Sequence, residues 1–338
     1  MRRILVLACL VISFATAGTA GARPNGGTSW AAPQIQAVVG AGLMSPSTSD
    51  FRADDPLTAG ELAVVLGALG FEIAVTDPYR LVTVRELDAQ LVTATGLRRE
   101  ARDLRLIAVA TGLAPTPWLG TETVARMLGL RINHLRDQEQ LELPLSAPAT
   151  RAEAAYSIAR LIAIQESELE AVRQAAGAFA FPELTVWQQT VLGRALRLVG
   201  SPYVWAGTSE KPQQLFNQVL PGGFDCSGFV WRVYKLEPFM GAPNFGALLK
   251  GRTTYAMSGE VPRSARVTRE LLQPGDLVFF GSRGRRSKPA EIGHMGIYVG
   301  SGWMAHSSNS GTTLAPMTGW YETRFAWGRS PLAEAGLS

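Results

Sequence analysis

The pattern of apolar and polar positions divides the chain into three parts. An almost wholly apolar run covers residues 4–14. Residues 28–178 carry apolar side chains mostly at helical spacing, with few strand-like runs. From about residue 185 onward, two helical stretches precede short apolar runs that are separated by glycine-containing turns. Helices followed by an antiparallel sheet predict an α+β domain, and we expect an all-α part before it.

The first 22 residues resemble a secretory signal peptide. Arg2 and Arg3 precede the apolar run, and the small residues Ala20-Gly21-Ala22 follow it. The run is about eleven residues long, shorter than the ~20 that a membrane span needs. Lipid attachment at Cys9 is a competing possibility, but only eight residues precede it. We therefore expect residues 1–22 to be removed and the mature protein to be secreted or held at the cell envelope, without a transmembrane segment.

Helix-start signals recur through the all-α part. Three Thr-x-x-Glu segments have the form of a capping box, in which the hydroxyl and the carboxylate each accept a backbone N–H: Thr58/Glu61, Thr83/Glu86 and Thr150/Glu153. Two further segments look like short helices closed by a glycine in the left-handed region, at Gly42 and Gly112. The pattern is an irregular repeat of helix, turn and capped helix.

This repeat resembles the S-layer homology family through Trp30-Ala31, Phe51 and Thr150-Arg151-Ala152-Glu153. The resemblance implies that residues 28–178 form a cell-wall-binding module that docks onto anionic wall polymers, with Arg151 as the first ligand residue to test. The match is incomplete, because Thr83-Val84-Arg85-Glu86 shifts the arginine. A helical spacer whose Thr-x-x-Glu segments are only helix caps is the alternative.

Composition and charge exclude several classes of protein. Of 338 residues, 46% are hydrophobic and 18% are charged, which excludes a wholly disordered chain. The formal net charge is +4, and loss of Arg2 and Arg3 lowers it to +2, so nothing favours nucleic-acid binding. The two cysteines, Cys9 and Cys226, are too few for a disulfide framework or a zinc ribbon. Cleavage leaves Cys226 as a lone thiol, which is buried, intermolecular or reactive.

The surroundings of Cys226 favour the reactive possibility. Asp225 is a good helix cap, and the apolar run from Phe229 to Tyr234 predicts a buried helix that begins at the cysteine. An unperturbed thiol has a pKa of ~8.5, and a helix N-terminus or a nearby imidazole favours the thiolate. We therefore expect Cys226 to be a nucleophile with a lowered pKa.

A predicted β-hairpin supplies two imidazoles. With a three-residue loop over residues 300–302, Val299 pairs with Trp303, and His306 then lies opposite Gly296. His294 lies two residues from Gly296 and shares its face of the sheet. The register predicts that His294 contacts Cys226 while His306 orients His294.

These residues allow two other interpretations. Cys226, His294 and His306 are possible zinc ligands by residue type, but no ligand-spacing motif supports a metal site. A lone cysteine is also often a small buried apolar residue. The third histidine, His134, has no predicted role. No metal and no cofactor is expected.

Five motifs, in order, resemble the NlpC-type cell-wall endopeptidases, which are papain-like cysteine peptidases. The resemblance covers about residues 188–332, and we place this domain at 185–332. It rests on the segments GSPYVWAG at 200–207, FDCSGF at 224–229, LQPGDLVFF at 272–280, GHMGIY at 293–298 and MAHS at 304–307. It implies hydrolysis of an amide bond in peptidoglycan stem peptides, typically between γ-D-glutamate and a diamino acid.

The same resemblance implies residue roles. Cys226 is the nucleophile, His294 the general base and His306 the orienting residue. The substrate-binding residues are Tyr203, which helps the oxyanion site, and Asp225 and Ser227, which line the cleft.

Three segments bear on specificity. Inserts at 208–223 and 235–250 depart from the family pattern, and the basic segment 282–288 is either a solvated turn or an electrostatic attractant for anionic substrates. A wall-binding protein that keeps the peptidase fold without activity is the alternative function.

Overall fold

The computed structural model describes residues 29–132 and 142–338. The predicted signal peptide at 1–22 and His134 lie outside the described residues. No helix of the described ranges is long and apolar enough to cross a membrane.

The described helices are α1 Ala32–Gly40, α2 Ala59–Ala68, α3 Val84–Ala94, α4 Arg98–Ala110, α5 Leu119–Met127, α6 Arg151–Ala163, α7 Glu166–Gly177, α8 Val186–Leu196, α9 Cys226–Tyr234, α10 Thr254–Gly259, α11 Trp320–Arg324 and α12 Pro331–Glu334. The described strands are β1 Thr208–Ser209, β2 Gln213–Leu215, β3 Gln218–Leu220, β4 Gly223–Phe224, β5 Leu277–Gly281, β6 Ile292–Gly300, β7 Trp303–Ser308, β8 Gly311–Pro316 and β9 Phe325–Arg329. This order of elements confirms the α+β fold and the helical N-terminal part.

The chain forms two compact units that interleave along the sequence. In described residues, the first unit holds 29–82 and 148–159, and the second holds 83–132, 142–147 and 160–338. Part of the predicted all-α module therefore belongs to the same compact unit as the C-terminal part. The predicted domain limits of 28–178 and 185–332 stay predictions, because compactness does not test function.

The predicted helix caps are present. Thr58 and Thr83 form capping boxes with the glutamates three residues later, and the Thr150 hydroxyl accepts the Glu153 N–H at 3.2 Å. The glycines after α1 and α4 have left-handed φ values of 74° and 80°, as expected. The repeat pattern therefore reflects real helix ends.

Arg151, the expected polymer ligand, is a structural residue of the first unit. Its side chain is buried. The guanidinium donates to the Phe51 carbonyl at 2.8 Å, and also to the Met44 carbonyl and the Glu61 carboxylate. Burial is the main influence on its pKa and lowers it, although Glu61 opposes the shift. With its donors used internally, Arg151 is not available to an external polymer, so that expectation was wrong.

A five-stranded antiparallel sheet organises the second unit, in the order β8-β7-β6-β5-β9. Strands β5 and β9 are buried along their whole length, and α9 packs against β6 and β7. The predicted helix from Cys226 and the predicted hairpin strands on either side of residues 300–302 are confirmed.

The hairpin between β6 and β7 has the predicted register through a different turn. Gly300 pairs with Trp303 across a two-residue loop, whereas Tyr298 pairs with Met304 and Ile297 with Ala305. The register shift between Tyr298 and Gly300 marks a bulge at the residue between them. A two-residue loop alone would move His306 to the wrong face, and the bulge restores it.

Candidate active site

The N-terminus of α9 positions the cysteine. Asp225 is the N-cap, and its carboxylate accepts the Gly228 backbone N–H. The same carboxylate accepts the Ala206 N–H at 3.0 Å, which joins the preceding loop to the start of the helix. Cys226 is therefore the first helical residue, and it is partly exposed while the next four residues are buried. This places the only cysteine of the described residues in a partly open position at a helix N-terminus.

The hairpin brings the two predicted histidines together. The Nε2 of His294 lies 2.9 Å from the Nδ1 of His306, with the rings nearly perpendicular at 86°. The shared face has room for both rings because position 296 is glycine. A Cβ there would lie 2.9 Å from the Ala305 carbonyl oxygen and 3.0 Å from the His306 Cβ. The predicted pairing of His294 with His306 is therefore what the structure contains.

The backbone next to His294 lies close to the cysteine sulfur. The N–H group of Met295, and those of Ser227 and Cys226 at the helix N-terminus, act to lower the pKa of the thiol. These three donors stabilise negative charge on the sulfur. Since Met295 directly follows His294, the thiol and the imidazole belong to one site.

The resting site is neutral. Burial is the largest influence on the thiol and raises the pKa of Cys226 to about 12; the Asp225 charge raises it further, and the three N–H donors oppose the shift. Burial also lowers the pKa of His294 to about 4. For the thiol, this direction is opposite to the lowering that the helix N-terminus predicts, because removal of water outweighs the helix amides. Both shifts favour the uncharged forms of the thiol and of the imidazole.

The hydrogen bond between the rings constrains where the protons lie. For His294 to accept a proton at Nδ1, its Nε2–H has to donate to the unprotonated Nδ1 of His306. His306 is buried, and burial followed by proximity to His294 lowers its pKa well below the usual value. Both rings therefore stay uncharged, and His306 can hold His294 in the tautomer that a general base needs.

The residues predicted to bind substrate lie around the same helix start. The backbone of Tyr203 bridges Phe224, two residues before the cysteine. Ser227 is buried, and its hydroxyl lies 3.0 Å from the Asp225 carboxylate. Arg252 was not assigned a role from the sequence. Its guanidinium donates to the Ser227 hydroxyl at 2.7 Å and to the Ala206 carbonyl at 3.0 Å.

Two aromatic residues of α11 lie beside the histidines. The Tyr321 ring centroid is 5.9 Å from that of His294 and 5.2 Å from that of His306. Burial raises the pKa of Tyr321 to about 12; a hydrogen bond with Ser308 opposes the shift, and proximity to Cys226 adds to it. Trp320 lies 6.3 Å from His294 by ring centroids and is 54% exposed. Local sequence contains no signal for this arrangement, because it depends on how α11 packs.

Comparison with known families agrees with the geometry. Residues 200–329 match the NlpC/P60 family. This part of the chain is an NlpC/P60 domain. It contains all six residues singled out from the sequence, from Tyr203 to His306.

Several known proteins resemble this domain. A probable endopeptidase of Mycobacterium tuberculosis is 34% identical over 124 residues, which are 37% of this chain and 24% of that protein. The bifunctional muramidase/DL-endopeptidase of Bacillus subtilis is 31% identical over 134 residues, 39% of this chain and 33% of that protein. A solved NlpC/P60 family structure from Bacillus cereus is 26% identical, with a TM-score of 0.33, covering 46% of this chain and 43% of that one. The chain spans only a quarter to a third of the length of these curated relatives.

Proposed function

We propose that the protein is a cysteine endopeptidase of peptidoglycan stem peptides that uses Cys226, His294 and His306. The observation that carries the proposal is the pairing of His294 with His306 at 2.9 Å, on a strand that packs against the helix that Cys226 begins. Relatives named as endopeptidases, including a murein DD-endopeptidase of Escherichia coli, support this class of reaction. We infer that the cleaved bond joins γ-D-glutamate to a diamino acid.

The neutral resting site indicates how the reaction proceeds. The sulfur of Cys226 attacks the carbonyl carbon while its proton passes to Nδ1 of His294. The C–N bond then breaks, and the imidazolium returns that proton to the departing amine. Water, deprotonated by His294, adds to the thioester and releases the acid and the thiol.

The remaining site residues have supporting roles in this proposal. The Tyr203 hydroxyl helps to stabilise the oxyanion. Asp225 and Ser227 line the acyl side of the cleft, where Arg252 holds them in place through its hydrogen bonds. Because the thiolate forms only as the proton transfers, the site avoids keeping a charged sulfur away from water.

We further infer that the protein acts outside the cytoplasm, at the cell wall. The apolar start at residues 4–14 and the wall-acting names of the relatives support this location. Binding of the helical part to an anionic wall polymer stays a prediction, without Arg151 as a ligand. The alternative remains a wall-binding protein without activity.

Digestion of muropeptides tests the enzyme proposal. The full chain should yield fragments that end in γ-D-glutamate, as seen by mass spectrometry. Cys226→Ala should yield none, while Cys226→Ser keeps the shape of the site and measures how far a weaker nucleophile can replace the thiol. Identical digests from wild type and Cys226→Ala would overturn the enzyme proposal and favour the wall-binding alternative. New fragments with other ends would overturn only the assigned bond.

A further inference from the structure

Arg126 lies outside the NlpC/P60 domain, yet its guanidinium contacts two segments of that domain. The family match begins at residue 200, whereas Arg126 belongs to α5. The guanidinium donates to the Gly200 carbonyl at 3.1 Å and to the Ser310 carbonyl in the turn between β7 and β8. It also pairs with Glu142 at 2.8 Å, and the side chain is buried. A helix that precedes the domain therefore supplies a buried cation to the backbone of the domain.

Two glycines allow this close approach. Gly200 has a φ of 96° and Gly311 has a φ of 77°, backbone conformations that favour glycine. A Cβ at Gly311 would collide with the Arg126 guanidinium, and a Cβ at Gly200 would collide with the Leu145 side chain. The backbone at both positions is therefore shaped for direct contact with α5 and with the segment that follows it.

The Gly200 contact leads to the start of the cysteine helix. Gly200 is three residues before Tyr203, whose backbone bridges Phe224. The Phe224 N–H donates to the Pro202 carbonyl at 3.1 Å. Phe224 is in turn two residues before Cys226. The segment bound at Gly200 therefore lies against the backbone that leads into the proposed nucleophile.

The Ser310 contact leads to the orienting histidine. Ser310 is four residues after His306, in the turn that follows β7. Ser307, next to His306, is buried, and its hydroxyl donates to the Phe224 carbonyl at 2.7 Å. Phe224 is thus bonded both to β7 and to the segment after Gly200. These contacts form a closed cycle around the proposed site, and its two ends meet at the guanidinium of α5.

The shape of the guanidinium suits this position. Its planar fork carries five donors, so one side chain can bind carboxylates and carbonyls at the same time. Nη1 of Arg126 donates to Ser310 and Nη2 donates to Gly200. A lysine ammonium has a single nitrogen, so it cannot reproduce contacts that two nitrogens make. Replacement by lysine would therefore keep the positive charge and release at least one of the two carbonyls.

Building on the proposed function, we propose that Arg126 is a positioning residue of the peptidase, which sets the placement of Tyr203 and His306 relative to Cys226. It acts through the carbonyls at both ends of the cycle and not on the substrate. The helix α5 is then part of the catalytic unit, and the reaction needs more of the chain than the family match at 200–329.

The first test is Arg126→Lys in the full chain, assayed on the peptide L-Ala-γ-D-Glu-diaminopimelate at a temperature where each variant is folded. We expect kcat to fall by about tenfold or more and KM to stay within about twofold, because misplaced catalytic groups slow the chemical step. Arg329→Lys is the matched control. Arg329 is also buried, pairs with Glu260 and Glu334 at 2.8 Å, and donates to the Leu248 carbonyl at 2.9 Å. It should lose stability to a similar extent and keep its kcat.

Double-mutant cycles separate positioning from a general defect. If Arg126 acts through His306 and Tyr203, Arg126→Lys should cost much less in a His306→Ala or a Tyr203→Phe background than in wild type. Additive losses in both cycles would overturn the proposal, as would an unchanged kcat in Arg126→Lys.

NMR of the histidine rings gives a readout that does not depend on hydrolysis. The chain has three histidines, and in the full chain labelled with nitrogen-15 histidine the wild type should show His294 protonated at Nε2 and His306 unprotonated at Nδ1. Arg126→Lys should shift or average these signals, and Arg329→Lys should not. Unchanged signals in Arg126→Lys would overturn the positioning role. A wild type that cleaves no stem peptide would contradict only the proposed function. If Arg126→Lys does not fold, Glu142→Gln replaces it with the same outcomes, because it weakens the pair that orients the guanidinium.

Discussion

Two groups of buried ionisable side chains in the second compact unit differ in how their charges are balanced. The first is an ion network of helices α3 and α5 and the segments that follow α5; its members are Asp88, Glu122, Arg126, Arg131 and Glu142. The second is the Cys226, His294 and His306 site. In the network, arginines oppose the effect of burial on the pKa values of the carboxylates, whereas at the candidate site burial favours the uncharged thiol and imidazole. Charge pairing indicates a structural role, and an unpaired nucleophile beside a base indicates chemistry.

The network also connects the helical part to the sheet. Arg126 pairs with Glu142 at 2.8 Å and donates to the Gly200 carbonyl at 3.1 Å. It donates further to the carbonyl of Ser310, in the turn that joins β7 to β8. Since β7 carries His306, the network supports the strand that holds the orienting histidine. The two groups therefore differ in role but share one scaffold.

The largest expected effect separates activity from stability at the candidate site. Cys226→Ala should lower hydrolysis of a stem peptide by about 10⁴-fold or more, because the proposed acyl-enzyme forms on this sulfur. Its unfolding free energy should stay close to that of wild type, since the thiol is uncharged and small. Parallel measurement of kcat/KM and urea unfolding checks both. A large loss of stability with modest loss of activity would assign Cys226 to the core instead.

The opposite result is expected for the ion network. Arg126→Ala leaves Glu122 without its main cation and Glu142 with only Arg131, and it should lower the unfolding free energy by about 3–5 kcal/mol. Arg173→Ala is the control, because Arg173 belongs to a partly exposed ion pair with Glu166 and should cost less than about 1 kcal/mol. Urea unfolding measures both. Equal losses in the two variants would contradict a structural role for the buried network.

The orienting role of His306 predicts a smaller and specific effect. His306→Ala should lower kcat/KM by about 10²-fold, because His294 loses the partner that selects its tautomer. In His306→Asn the amide oxygen can accept the same N–H, so activity should return to within about tenfold of wild type. A pH–rate profile separates this role from a packing defect. If Asn is no better than Ala at any pH, His306 is not positioning the base through this hydrogen bond.

Local patterns predict the centre of the site well. The cap at Asp225, the helix after it and the alternation along β6 are short-range features, and side-chain alternation determines which face carries His294. The turn was predicted with three loop residues, because Gly300-Ser301-Gly302 fits either loop length. The bulge that restores the register depends on tertiary packing, and no local signal shows it.

Long-range packing explains what the sequence did not predict. The hydrogen-bond partners of Arg126 at Gly200 and Ser310 lie 74 and 184 residues away. Asp88 and Glu122 occupy helices where an acidic residue ordinarily faces solvent, and only the assembled unit makes them buried. For the same reason, Arg151 resembled a ligand in sequence although its donors are used inside the protein.

The two groups should contribute to stability with opposite pH dependence. Burial lowers the pKa of His294 from 6.5 to about 4, so the unfolded chain binds more protons in this window and stability rises with pH. Burial also raises the pKa of Asp88 from 3.8 to about 6, although Arg131 opposes the shift. Here the folded chain binds more protons, and stability falls as pH rises.

Single substitutions should reveal these opposite changes of the unfolding free energy with pH, between about pH 4 and 6. His294→Gln should reduce the gain of unfolding free energy with pH by up to about 1.4 kcal/mol per pH unit. Asp88→Asn should steepen that gain, and at pH 7 it should be neutral or stabilising, because two arginines cannot fully balance three buried carboxylates. Urea unfolding followed by circular dichroism across this range measures the slopes. Parallel slopes in wild type and both variants would mean that neither group is held in its uncharged form, and the contrast between the two clusters would then rest on geometry alone.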